Sequence, residues 1–116
     1  MRIAGSFFLI IAVLAAGALG AETAAAKGSK TTVKVGNNFF DPEKKTIRKG
    51  TKVRFKWSGG GPVHNVTKKS GPAGKFASET TSSKGVNFSR RFKQRGTYRL
   101  LCTIHPSQMN LKLTVK

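Results

Sequence analysis

From residue 31 to the C-terminus the chain alternates apolar and polar residues with a period of two, and no other feature constrains its fold so tightly. Successive side chains of a β-strand point to opposite faces, so this alternation marks strands with one face buried and the other in water. The cleanest stretch is 51–57, where Val53, Phe55 and Trp57 alternate with Lys52, Arg54 and Lys56. Val33 and Val35 share a face in 31–35. Val86, Phe88, Arg90 and Phe92 alternate later, and Leu111, Leu113 and Val115 alternate with Asn110, Lys112 and Thr114. Short strands around Ile47, at 63–67 with His64, and at 97–102 ending on Cys102 complete the set. Asn37-Asn38, Asp41-Pro42, Lys49-Gly50, the glycine run before Pro62, and Gly96 supply turns between them. Residues 68–83, rich in Lys, Ser, Thr and Gly, read as a long loop with Phe76 tucked inward. With no internal repeat and no helical periodicity after residue 30, the expected fold class is all-β: a Greek-key β-sandwich or barrel of about seven or eight strands.

The first 21 residues do not share this pattern. Arg2 and the amino terminus precede an almost wholly apolar run, 3–19, followed by the small residues Gly20 and Ala21. That order of charge, apolar run and small residues predicts a signal peptide at 1–21, a flexible leader at 22–30 and one folded domain at 31–116. An uncleaved anchor is the alternative, because the apolar run is close to the length that spans a bilayer. No Cys borders the segment, which excludes a lipoprotein anchor. The expected location is exported, periplasmic or extracellular, or membrane-associated if the segment is retained.

Twenty-two Lys and Arg face four acids, a formal net charge of +18. Such a surface favours acidic proteins, an anionic membrane or a cell-wall polyanion. Nucleic acid is disfavoured, although Arg54-Phe55-Lys56-Trp57 interleaves bases with aromatics. Strand alternation turns Phe55 and Trp57 inward and away from any base.

The chain has one Cys and two His. A single Cys permits no intrachain disulfide, and in an oxidising compartment it must be buried, paired with another chain or metal-bound. Cys102 and His105 sit in one C-x-x-H turn, Met109 follows, and His64 lies far upstream after a Gly-Pro turn. Two imidazoles, a thiolate and a distant thioether are the ligand set of a blue-copper electron-transfer site. Soft sulfur ligands favour Cu(I) while imidazole suits both oxidation states, so such a set rearranges little when one electron arrives. Ligand counts exclude other centres. A binuclear copper site needs two Cys, a multicopper oxidase needs many His, and a structural zinc site needs four ligands where three exist. Cys102 with His105 as a nucleophilic pair lacks an orienting acid or an evident oxyanion site.

The stretch Gly61-Pro62-Val63-His64-Asn65-Val66 and the loop from Gly96 to Pro106, with Tyr98 four residues before Cys102, resemble the plastocyanin, amicyanin and azurin family of cupredoxins. The likeness extends over 31–116. It implies His64, Cys102 and His105 as equatorial ligands of one copper ion and Met109 as the long axial ligand. Asn65 would tie the two ligand segments together, and the ring edge of His105 would reach the surface. Pro106, Ser107 and Gln108 make a spacing unlike that of amicyanins or plastocyanins, and Leu111 stands where the family usually has Gly. Gln108 is therefore the alternative axial ligand. The implied function is an exported carrier of single electrons, not an enzyme, with Cu(I)/Cu(II) cycling between redox partners and a monomeric state. A copper carrier with the same fold and ligands is the alternative.

Overall fold

The computed structural model describes residues 28–116. The expected signal peptide, and all but the end of the leader, lie outside the described residues. Eight strands follow: β1 (Lys30–Gly36), β2 (Phe39–Asp41), β3 (Lys44–Ile47), β4 (Lys52–Trp57), β5 (Thr67–Ser70), β6 (Gly85–Arg91), β7 (Gly96–Leu101) and β8 (Asn110–Val115). They form two four-stranded sheets ordered β2-β1-β4-β6 and β3-β8-β7-β5. β1 runs parallel to β4, and β3 parallel to β8. The remaining pairs are antiparallel. From β2 to β7 each successive strand changes sheet or crosses the sandwich, which is the expected all-β architecture.

The alternation explains the layering. Val33, Val35, Val53, Phe55 and Trp57 project from the first sheet, and Ile47, Tyr98, Leu100, Leu111, Leu113 and Val115 from the second, all buried in one core. Each such large side chain contributes roughly 1.5–3 kcal/mol by leaving water. Phe55 and Trp57 are thus inside, as their strand register requires. Phe76 packs partly buried against the core and stacks on Phe88, with ring centroids 5.9 Å apart. Phe92 meets Tyr98 edge-on at 5.1 Å.

One glycine is needed where the chain enters β7. Gly96 has φ of 142°, and a Cβ there would lie 2.5 Å from Cγ of Pro72. The long 71–84 connection after β5 folds back against this corner. The Lys68 ammonium donates to the carbonyls of Pro72, Ala73 (2.7 Å) and Gly74 (3.1 Å).

Two expected boundaries shift. Residues 63–67 do not make a strand. His64 forms an isolated antiparallel bridge to Thr81, and the strand begins at Thr67. The cause is local: the Asn65 N–H donates to Sγ of Cys102 at 3.5 Å and the Val66 N–H to Oγ of Ser78 at 2.8 Å. Two successive donors are thereby taken by side chains. The strand that does form, β5, occupies what reads from sequence as the start of a polar loop.

Candidate metal centre

At one end of the sandwich three elements converge. His64 arrives on the segment after β4, held by reciprocal backbone bonds with Thr81, 3.0 Å in each direction. Cys102 directly follows β7. His105 and Met109 lie on the turn that leads into β8. That turn is closed by its own backbone: the Cys102 N–H donates to Met109 O at 3.2 Å, the His105 N–H to Cys102 O at 3.2 Å, and the Met109 N–H to His105 O at 3.0 Å. The C-x-x-H spacing is therefore one tight turn that brings both side chains to the same side.

The ligand-type atoms of His64, Cys102 and His105 all lie within 4.8 Å of one another. Sγ of Cys102 is 3.9 Å from Nδ1 of His105, and the two imidazole centroids are 5.1 Å apart with planes at 52°. Cys102 and Met109 are fully buried, and His64 is nearly so. His105 is half-buried and Gln108 is exposed.

Asn65 makes five hydrogen bonds, three of which join the two ligand-bearing segments. Its backbone N–H points at the Cys102 sulfur. Its side-chain Nδ2 donates to Oγ1 of Thr80 at 3.0 Å and of Thr103 at 2.8 Å, and Oδ1 accepts from Thr103 N at 3.1 Å and Thr67 Oγ1 at 2.9 Å. Thr80, Thr81 and Thr103 have no distinguishing signal in the sequence, because their contribution is a hydroxyl or a main-chain group placed by the fold.

The electrostatics suit a cation. Burial, and secondarily the neighbouring His105, hold the His64 imidazole below its ordinary pKa, so its lone pair is free at neutral pH. Nδ1 of His64 is buried without a hydrogen-bond partner. An unsatisfied buried polar atom costs roughly 1–3 kcal/mol, and a metal bond removes that cost. The 3.9 Å Sγ···Nδ1 separation is too long for a strong hydrogen bond, yet two metal–ligand bonds of about 2.0–2.3 Å can span it. The residues present fit a soft or borderline metal ion.

Comparison with known proteins agrees. Residues 26–116 match the family model described as copper binding proteins, plastocyanin/azurin family. Halocyanin of Natronomonas pharaonis is 33% identical over 75 residues, covering 63% of this chain and 46% of that protein. A copper-containing nitrite reductase from Thermus scotoductus SA-01 superposes with a TM-score of 0.65 at 23% identity, over 75% of this chain and 22% of that one. The oxidised form of an amicyanin point mutant superposes at 0.65 and 20% identity, over 75% of this chain and 82% of that one. The chain thus spans less than half the length of the halocyanin and under a quarter of the nitrite reductase chain, and at these identities the structural likeness concerns the fold. Two imidazoles converging on a buried thiol at the end of such a sandwich suit the metal named by the family match, and the chain belongs to the plastocyanin/azurin family of copper binding proteins, with one copper ion as its cofactor.

Proposed function

We propose that this protein is an exported type 1 copper electron carrier in which His64, Cys102 and His105 are the equatorial ligands and Met109 the axial one. The observation that carries the reading is the convergence of the three strong donors within 4.8 Å in a buried setting. Bound copper would supply a one-electron Cu(I)/Cu(II) couple. The chain's own residues do the rest. The hydrogen bonds of Asn65 and the closed 102–109 turn hold the ligands before the ion arrives, which limits rearrangement on electron transfer. Burial excludes water from the Cys102 sulfur. Met109, buried beside the turn, is a better axial candidate than the exposed Gln108.

His105 is the half-exposed member of the set and the natural point of electron entry. Val63 and Ile104, both exposed, flank the ligand segments and offer an apolar rim for a redox partner. The positive charge of the chain favours partners with acidic surfaces. A carrier of electrons is favoured over a carrier of copper by the burial of Cys102, at 0% exposure, and His64, at 4%, because release to another protein requires access to the donors.

Protein-film voltammetry tests the proposal. A reversible one-electron wave that survives repeated cycling, with reduced protein re-oxidised by an acidic acceptor faster at low salt, is the expected result. Rapid loss of copper to a chelator or apo-partner, with no reversible wave, would favour the copper-carrier reading instead.

A further inference from the structure

Both sheets carry many cations, but they are arranged differently. Strand register places Lys30, Lys52 and Arg91 in one row across β1, β4 and β6, and Lys34 beside Lys56 in another, with Arg54 between the rows. All six are on the outer face of the β2-β1-β4-β6 sheet, since the alternate residues Val33, Val35, Val53, Phe55 and Trp57 are buried. Asp41 is the one acidic residue on these four strands. Neighbouring strands lie about 4.8 Å apart and same-face residues about 6.7 Å apart along a strand, so the cations form a two-dimensional array.

The same face carries apolar groups. The Phe39 ring lies across Gly36, where a Cβ would come within 2.1 Å of it, and the Lys34 ammonium sits 5.9 Å from the ring centroid. Val86, in register with Lys56, is 40% exposed, and Phe39 is 37% exposed. Two of the four exposed large hydrophobic residues among those described therefore stand among the cations, at the end of the sheet nearer His64. The opposite sheet differs. Lys44, Lys112 and Arg99 form one row there, Lys69 is exposed on the edge strand, the outward neighbours along the strands include Thr46, Thr97 and Thr114, and no large hydrophobic residue of these strands is exposed.

We propose that the outer face of the β2-β1-β4-β6 sheet docks on an anionic lipid surface. A planar array of cations can meet a plane of phosphates at once, whereas a rod-shaped polyanion follows one row. An aromatic and an aliphatic side chain among the cations suit the boundary between headgroups and acyl chains, where apolar side chains of a basic surface bury. The surface is distinct from the metal centre and independent of the copper function. Docked this way, the protein lies on its side, with the His105 end free for partners that share the membrane.

The test is co-sedimentation of the protein, freed of its expected signal peptide, with vesicles of equal parts phosphatidylcholine and phosphatidylglycerol. Each cation near such a surface changes partition by about fivefold, so the Lys34→Gln, Arg54→Gln, Lys56→Gln triple variant should bind on the order of 100-fold more weakly. The Lys44→Gln, Arg99→Gln, Lys112→Gln triple variant removes the same charge from the other sheet and should lose less than about fivefold. Phe39→Ser with Val86→Ser should weaken binding while leaving its salt dependence unchanged. Circular dichroism of each variant verifies the fold. Equal losses in the two triple variants, equal binding to pure phosphatidylcholine, or face-dependent binding to heparin but not to vesicles would each overturn the proposal.

Discussion

The indole Nε1 of Trp57 donates to the carbonyl of Thr81 at 2.9 Å, and that same carbonyl accepts the backbone N–H of His64 at 3.0 Å. A core residue at the end of β4 is thereby linked through one oxygen to a proposed copper ligand. Trp57→Phe keeps an aromatic ring in the core but removes this bond. The apo-protein should lose about 1–2 kcal/mol of stability in denaturant unfolding. Copper affinity should fall several-fold in competition titrations beyond the stability loss, because the His64 segment is less firmly held. Affinity unchanged in the folded variant would reduce Trp57 to packing alone.

Asn65→Ala removes four side-chain hydrogen bonds and leaves the Thr103 N–H without its acceptor. The backbone N–H to the Cys102 sulfur remains. Copper affinity should fall about 10- to 100-fold while a copper–thiolate band persists. Isothermal titration and absorption on the same samples separate the two outcomes.

The Tyr98 hydroxyl is buried and donates to the Gln94 carbonyl at 2.7 Å. Burial raises its pKa above the ordinary 10.0, and the Arg90 charge opposes the rise. A group whose folded pKa is raised contributes stability that is fully present below its unfolded pKa and is lost as pH rises through the folded value. The apo-protein should therefore become less stable above about pH 10. Tyr98→Phe should flatten that alkaline limb in urea titrations at several pH values.

Met109→Leu keeps the buried volume near the turn and removes the thioether. The visible band should persist, and the reduction potential should shift. A potential unchanged from the parent would move the axial role away from Met109, and the Gln108→Ala variant would then be the next to measure.

Much of this site was legible in the chain because its parts are residue types with few other uses. The single Cys and both His meet at one end, as their chemistry and the resemblance imply. β4 was equally legible, since Lys52–Trp57 alternates without exception and sits at the centre of its sheet. β5 was not. It is an edge strand, Thr67–Ser70, with no large apolar residue, held by backbone pairing to β7 that leaves no hydrophobic pattern. The His64 segment misled in the opposite direction. Residues 63–67 read as a short strand from the sequence, but Cys102 and Ser78 capture the N–H groups a ladder would need. Thr81 was invisible for a related reason: its carbonyl, not its side chain, holds His64 and Trp57.

The most direct test of the copper assignment is the visible absorption of the folded protein on titration with Cu(II), alongside Cys102→Ser. The account predicts an intense copper–thiolate band that saturates at one copper per chain and is absent from the variant. A colourless parent, or a band of equal strength in Cys102→Ser, would contradict it.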